Sequence, residues 1–241
     1  LLQIEYYSFL FELKDYRHAR TISHAKLLER SSMTAIHETA YPRLKNEYSQ
    51  EELTAVYTPS SSEIEYVFKQ YRQVGPRAFM LIKMKLLQRL GYFVSVASVP
   101  TEIIEHICDA ANLRKPAKQA ILKYDDSGTR SLQHQRLRSY IGLRLIDKQA
   151  EKWLESSAMQ AAQTKQELPD IINVLIEELV LRKYELPGFT VLSRLAAKCR
   201  NTVNEQIYKT VGGVLGQDMI ERLEAILTPQ AGRSGWDSLK R

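Results

Sequence analysis

The sequence lacks the features that mark most secreted, metal-binding and membrane proteins. It has two cysteines, Cys108 and Cys199. Neither has a second Cys or a His at metal-ligand spacing, so both are predicted to be reduced core thiols. No apolar run approaches the roughly 20 residues that a membrane-spanning helix needs. The opening Leu-Leu-Gln-Ile-Glu-Tyr-Tyr lacks the basic-then-apolar order of a secretion signal. These absences predict a cytoplasmic protein with no membrane partner.

Catalytic motifs are also missing. There is no glycine-rich phosphate loop, no His-Glu-x-x-His and no serine on a strand–turn–helix. Gly212-Gly213 has no following Lys and no preceding strand, so it is predicted to mark a helix end. Glu177 and Glu178 are adjacent on a predicted helix and point about 100° apart, which does not aim them at one metal ion. We therefore expect this chain to have no enzyme activity, cofactor or metal.

Positive charge, by contrast, is concentrated in blocks. The formal net charge is only +6, but residues 66–101, 110–124 and 186–204 contain no acid and carry six, four and three Lys or Arg, respectively. Acidic residues are gathered in other segments. Segregation of this kind favours a polyanionic partner over a uniformly charged surface.

The hydrophobic periodicity predicts helices almost throughout, which indicates an all-α fold. Ser49 with Glu52 and Ser60 with Glu63 have capping-box spacing. Pro76 is predicted to occupy a first helical position, and Gly91 to end that helix. The segment 92–99 has strand composition but is short and isolated, so it is predicted to be an extended connector.

Turn-forming residues at 125–128 predict a boundary between two small subdomains with helix-turn-helix-like units. The first would cover residues 33–125 and the second 126–228, and 229–241 would be a linker toward an absent catalytic region. Residues 1–32 form an N-terminal extension. One hypothesis is that this extension is non-native and that the protein starts at Met33, because codons for Glu29-Arg30-Ser31 can contain a ribosome-binding sequence before Met33. The mass of the product of the native gene tests this.

The helix predicted from Arg130 to about Arg144 has the composition of a DNA-facing element. Leu137, Tyr140 and Ile141 fall within one arc, while His134, Gln135, Arg136 and Arg138 spread over the opposite side. Residues 130–148 contain five Lys or Arg and one acid, which suits counterion release from a phosphate backbone. An ordinary solvated face is the alternative. A second basic helix, with Arg194 and Lys198 opposite an apolar stripe, follows Pro187.

These patterns predict roles for individual residues. Arg136 and Arg138 would contact guanine edges, and His134 would contact phosphate. The residues predicted to contact the phosphate backbone of DNA are Lys83, Lys85, Lys118, Lys198 and Arg200. Arg130 belongs to the same basic face.

Three segments carry a family resemblance: residues 81–93, ending in Leu-Gly-Tyr-Phe; residues 137–144, Leu-Arg-Ser-Tyr-Ile-Gly-Leu-Arg; and residues 185–195, Glu-Leu-Pro-Gly-Phe-Thr-Val-Leu-Ser-Arg-Leu. With them, the chain from about residue 41 onward resembles the N-terminal part of transposases of class II replicative transposons, the Tn-three type.

The resemblance implies a bacterial, nucleoid-associated helical region that binds terminal inverted repeats as double-stranded DNA and self-associates in the full-length protein. It also implies a later RNase-H-like domain with an acidic triad and a divalent metal, which this chain lacks. Carried over by position, it implies DNA contacts for Arg138, Arg144 and Arg194. Gln133-His134 stands where the family has His-Arg, and Leu143 where it has Phe.

Two alternatives remain. The chain could be a helical protein-interaction module that uses the apolar stripe around Trp153 and Leu154, or Trp236, to contact a partner. It could also be a stand-alone transposase remnant without end-specific binding. Salt dependence separates DNA binding from an apolar interface, because only counterion release makes affinity fall steeply with salt.

Overall fold

The computed structural model describes residues 35–227, 229–230 and 233–234, so the predictions for residues 1–32 and Trp236 lie outside the described residues. Within this part the fold is all-α, as predicted. Its α-helices are α1 (Gln50–Tyr57), α2 (Ser61–Gln70), α3 (Val74–Leu90), α4 (Thr101–Ala110), α5 (Lys118–Asp125), α6 (Gly128–Ile141), α7 (Lys148–Thr164), α8 (Leu168–Leu181), α9 (Phe189–Val214) and α10 (Gln217–Leu227).

The remaining regular structure is short. Two 3₁₀ turns cover Ile36–Glu38 and Val96–Ser98, and a two-residue antiparallel pair joins β1 (Pro229–Gln230) to β2 (Arg233–Ser234). The connector at residues 92–99 therefore holds a 3₁₀ turn and no strand. No helix among the described residues has both the length and the apolar character needed to cross a bilayer.

Local signals set the helix ends largely as the sequence predicts. Both capping boxes are present: the Ser49 and Ser60 side chains accept the backbone N–H groups of Glu52 and Glu63, whose carboxylates accept the serine N–H groups in return. Each box satisfies backbone donors that the first helical turn leaves unpaired. Gly91 ends α3 in the left-handed conformation, with φ of 74°.

Two helix predictions are wrong in detail. α3 begins at Val74, so Pro76 is its third residue. It is tolerated because the first-turn N–H groups have no intrahelical partner. α9 is one continuous helix through Val214, so Gly212-Gly213, predicted to mark a helix end, lies inside it. No proline or cap interrupts the helix after Val203.

The first hydrophobic cluster surrounds α3, which packs against α1, α2, α4 and α6. α6 contributes Leu137 to this cluster, and the fully buried Gln133 side chain accepts from the Tyr124 hydroxyl at 2.7 Å and donates to the Pro76 carbonyl at 3.0 Å. The predicted subdomain boundary at residues 125–126 therefore lies inside one packed unit, because α6 docks back onto α3.

The second cluster is built by α7, α8 and α9, with Tyr41 packed against it. The Tyr41 hydroxyl donates to the Pro187 carbonyl at 2.9 Å. Leu154 lies in this core and Trp153 is half-buried against Tyr184. The stripe that the protein-interaction alternative relied on is therefore covered by the chain itself.

The apolar stripe of α9 continues beyond this core. Residues 205–214 of α9 are all exposed, and the large apolar side chains among them are Ile207, Tyr208, Val211 and Val214.

Gly91 provides a test of how the two clusters meet. A Cβ at Gly91 would lie 3.3 Å from two Leu186 side-chain atoms. Because an L-residue at this φ also costs about 1–2 kcal/mol, we expect Gly91→Ala to lower the free energy of unfolding by at least that amount in urea denaturation. Gly128→Ala is the matched control: Gly128 is the first residue of α6, has open space around it and no positive φ, and the change should be neutral or stabilising by up to about 1 kcal/mol. Equal effects at the two positions would contradict this account.

Candidate nucleic-acid interface

α6 has two sides with different environments. Its inner side packs on the first cluster through Leu137 and the partly buried Tyr140 and Ile141, as the sequence predicts. Tyr140 stacks on Tyr66, with ring centroids 4.1 Å apart. The residues predicted to form the opposite, DNA-facing side are divided between the interior and the surface.

His134 belongs to the interior. Its ring stacks on Phe93 at 3.7 Å, and its Nε2 is buried without a hydrogen-bond partner among the described residues. Burial, reinforced by the positive charges of Lys83, Arg138 and Arg130, lowers the His134 pKa to about 4. The imidazole is therefore neutral at pH 7, and the predicted phosphate contact needs correction.

Arg138 is also turned inward. Its Nε lies 2.5 Å from Glu185 Oε2, and its guanidinium lies over the Phe93 ring, 5.0 Å from the centroid. Because both charges of this pair are mostly shielded from water, releasing Arg138 to reach a base would leave Glu185 unpaired in a poorly solvated position. The structure thus does not present Arg138 for the predicted guanine contact or for the contact implied by the resemblance.

Lys83 and Lys85 are buried, so the prediction that these two residues contact the DNA backbone is wrong. α3 is covered on several sides, so even its cationic positions face other elements. Lys83 donates to the Val94 carbonyl and lies 3.9 Å from Asp125 Oδ1. Burial lowers the pKa of Lys83 to about 8, and Asp125 opposes that shift. Lys85 pairs with the equally buried Glu63 at 3.5 Å.

The three motifs behind the family resemblance meet at one place. The backbone N–H of Leu186 donates to the Gly91 carbonyl at 2.8 Å, which joins the third motif to the first. The Arg138–Glu185 pair joins the second motif to the third. The His134–Phe93 stack lies next to this ion pair, since Arg138 lies over the same Phe93 ring. These contacts connect the first cluster to the second. We call this arrangement the joint, and its residues are Gly91, Phe93, His134, Arg138, Glu185 and Leu186.

Four predicted or neighbouring cations do remain on the outside of α5 and α6. Lys118 and Lys123 of α5 are exposed, and Arg130 and Arg136 of α6 are half-exposed. None of the four forms an ion pair with a described residue. The Arg136 guanidinium lies 5.5 Å from the centroid of the Tyr71 ring. The exposed side chains of α6 near these cations are uncharged: Ser131, Leu132, Gln135 and Ser139.

The other predicted contacts lie elsewhere. Arg144 is exposed in the loop after α6. Arg194, Lys198 and Arg200 lie on α9, where Arg194 is exposed, Arg200 is half-buried and Lys198 pairs with Glu155 at 2.6 Å. Since α6 and α9 pack in different clusters, the predicted residues occupy separate surfaces.

Sequence reasoning missed two cations beside Arg144, namely Arg182 and Lys183. The adjacent basic pair is visible in the sequence. Its position is not, because it depends on a long-range backbone contact between Lys183 and Arg144 and on a left-handed Lys183, with φ of 57°.

The described residues contain no group of three or more His, Cys, Asp or Glu side chains that could hold a metal ion. Cys108 and Cys199 are free and buried, as predicted. Burial raises the pKa of Cys108 to about 11, which keeps it a thiol and a poor nucleophile at neutral pH.

Comparison with known proteins supplies one match. The family described as Domain of unknown function (DUF4158) matches residues 33–199, which is more than half of the chain and includes all three motifs and the joint. Among curated proteins, none matches.

The buried His134 predicts a pH dependence of stability. Its pKa is lower in the folded chain than the ordinary 6.5, so the unfolded chain takes up the proton first as pH falls. Titration of His134 does not affect the free energy of unfolding above about pH 6.5. It lowers that free energy progressively as the pH falls from 6.5 to about 4. We expect His134→Gln, which cannot titrate, to show a shallower decline across this window in urea denaturation. Its absolute stability should be lower, because the ring stack is lost.

Parallel pH profiles for the variant and the unaltered chain would contradict this role. Asp218→Asn serves as the control, because its carboxylate is exposed and pairs only with the exposed Arg222.

Proposed function

The chain belongs to the DUF4158 family, and we propose that it binds double-stranded DNA through the outer face of α5 and α6. The observation that carries the proposal is the division of the cations. The joint and the first core retain Lys83, Lys85 and Arg138 inside, while Lys118, Lys123, Arg130 and Arg136 remain outside without ion pairs to described residues. Unpaired surface cations are the groups that can neutralise phosphates and release counterions.

The scaffold beneath this face supports the proposal, because it fixes α5 and α6 relative to α3. Asp125, at the end of α5, accepts hydrogen bonds from the Ser95 hydroxyl and from the backbone N–H groups of Val96 and Ala97, at 2.6 to 3.2 Å. Gln133 links Tyr124 to the start of α3. A short turn joins the two helices. Binding residues held on rigid elements lose little conformational entropy when they bind.

Different side chains on the face suit different tasks. Lys118, Lys123 and Arg130 provide point or forked charges for phosphates, which set position and register. Gln135 is exposed and uncharged. A glutamine can form bidentate hydrogen bonds with the major-groove edge of adenine, and an arginine such as Arg136 can form them with guanine. We therefore assign base contacts to Gln135 and Arg136, and Gln135 replaces Arg138 in the earlier prediction.

The finer proposal is that this DNA is the terminal inverted repeat of a transposon, bound by the N-terminal part of a replicative transposase. It is supported by the three motifs and by the family, whose domain is in general found in transposase-related proteins. Under this proposal the chain binds and positions DNA, and strand cleavage belongs to another part of the full-length protein.

Fluorescence anisotropy tests the function directly. We expect the chain to bind a duplex from the inverted repeats flanking its own gene more tightly than a scrambled duplex, and to keep that preference at physiological salt. Equal binding that salt abolishes would remove the end-specific proposal and leave a basic surface. Absence of binding at low salt would remove DNA binding altogether and favour a protein partner, for which the exposed part of α9 offers an apolar surface.

Single substitutions separate the two assigned tasks. Lys118→Ala should weaken binding to both duplexes alike and reduce the slope of log affinity against log salt by about 1. Gln135→Ala should instead reduce discrimination between the repeat and the scrambled duplex, by about 1–3 kcal/mol. Lys69→Ala is the charge-matched control, because Lys69 is exposed on α2 and pairs with Glu65. If all three variants behave alike, the assigned face is wrong.

A further inference from the structure

Two loops at the C-terminal end of α6 are joined by backbone hydrogen bonds. The N–H of Arg144, after α6, donates to the Lys183 carbonyl at 2.8 Å, and the N–H of Glu185 donates to the Arg144 carbonyl at 2.9 Å. The result is an isolated parallel bridge between Arg144 and Tyr184. We call residues 142–146 and 181–185 the loop pair. Its geometry is set by backbone contacts, so the side chains it carries have defined positions.

Three cations are brought together on the loop pair. Arg144 lies over the Tyr184 ring, 4.3 Å from its centroid, and its Nη2 donates to the Arg182 carbonyl at 2.7 Å. Arg182 lies over the Trp153 ring at 4.5 Å. Lys183 follows Arg182 directly in the chain and is exposed. Stacking on an aromatic ring holds a guanidinium plane in place while leaving N–H groups at its edge available.

The acids nearby neutralise one of these cations, Arg182, and form no ion pair with Arg144 or Lys183 among the described residues. Glu178 pairs with Arg182 at 3.0 Å, and Glu185 is held by Arg138 in the joint. Asp147 accepts the Ala150 N–H as the N-cap of α7. Lys183 forms no ion pair with a described residue. The Arg144 guanidinium donates to the Arg182 backbone carbonyl and to no carboxylate among the described residues. The loop pair therefore presents excess positive charge with several free donors, an arrangement suited to phosphodiester oxygens.

We propose that the loop pair is a second phosphate-binding surface, which contacts the DNA backbone at the C-terminal end of α6. This inference rests on the proposed function. A helix of 14 residues is about 21 Å long, so Arg130 near its start and Arg144 beyond its end are separated by roughly that distance. A duplex lying along the outer side of α6 is then held by phosphates at both ends of the helix. Arg182 and Lys183 thereby join the contacts, and Arg144 acts on phosphate.

Lys183→Asn tests the proposal with little effect on folding, because asparagine tolerates the left-handed conformation of this residue. We expect it to lower affinity for the inverted-repeat and scrambled duplexes by the same factor. The slope of log affinity against log salt should fall by about 0.9, the value for one lost phosphate contact. Lys209→Gln, which removes an equally exposed charge from the distal part of α9, should leave the slope unchanged.

The outcomes separate this inference from the proposed function. Binding by the unaltered chain with the same slope in Lys183→Asn would overturn the loop pair and leave the α5–α6 face intact. An equal fall in slope for Lys183→Asn and Lys209→Gln would show a diffuse charge effect and would also overturn it. No duplex binding by the unaltered chain would overturn both. Arg144→Gln, measured alongside, should reproduce the smaller slope.

Discussion

The contact on which the rest of the structure depends is the pairing of Arg138 with Glu185 beside the Leu186–Gly91 backbone hydrogen bond. These two contacts connect helices that pack in different hydrophobic clusters. A mostly shielded ion pair is a weak source of net stability, since its attraction must offset the loss of hydration. The pair nevertheless constrains the geometry strongly, because separating the partners leaves each charge unpaired in a poorly solvated position. The pair therefore fixes how α6 sits relative to the loop before α9.

This constraint changes what the charge pattern means. The acid-free segment 66–101 contains six cations, and it is one of the three blocks that favour a polyanionic partner. Lys83 and Lys85 are in the core, and the Arg77 Nε donates to the Tyr71 carbonyl at 2.7 Å while its guanidinium lies over Phe68. The acids that face Lys83 and Lys85, Asp125 and Glu63, come from outside the segment, so an acid-free stretch in sequence is not an acid-free environment in space.

The fold class and the helix starts could be predicted because they depend on neighbouring residues. A capping box is complete within four positions. A core stripe such as Ile103, Ile104 and Ile107 of α4 repeats at intervals of three or four residues. The interior cations could not be predicted in the same way. Glu63 is 22 residues from Lys85, and Glu185 is 47 from Arg138. The charge of a lysine or arginine suggests exposure unless its partner is known. The packing of α2 against α3 supplies the partner of Lys85, and the contact of the loop before α9 with α6 supplies that of Arg138.

The same reasoning limits what the family resemblance can say about recognition. Its three motifs supply the residues of the joint other than His134, so a likeness in those motifs indicates that the clusters are assembled in the same way. The side chains assigned to DNA under the proposed function, Lys118, Lys123 and Gln135, lie outside the motifs, and Arg144 and Arg194 are the motif arginines that remain exposed. Under the proposed function, proteins that share the motifs can share a scaffold and still bind different sequences, because the residues assigned to base contacts are not those that hold the scaffold together.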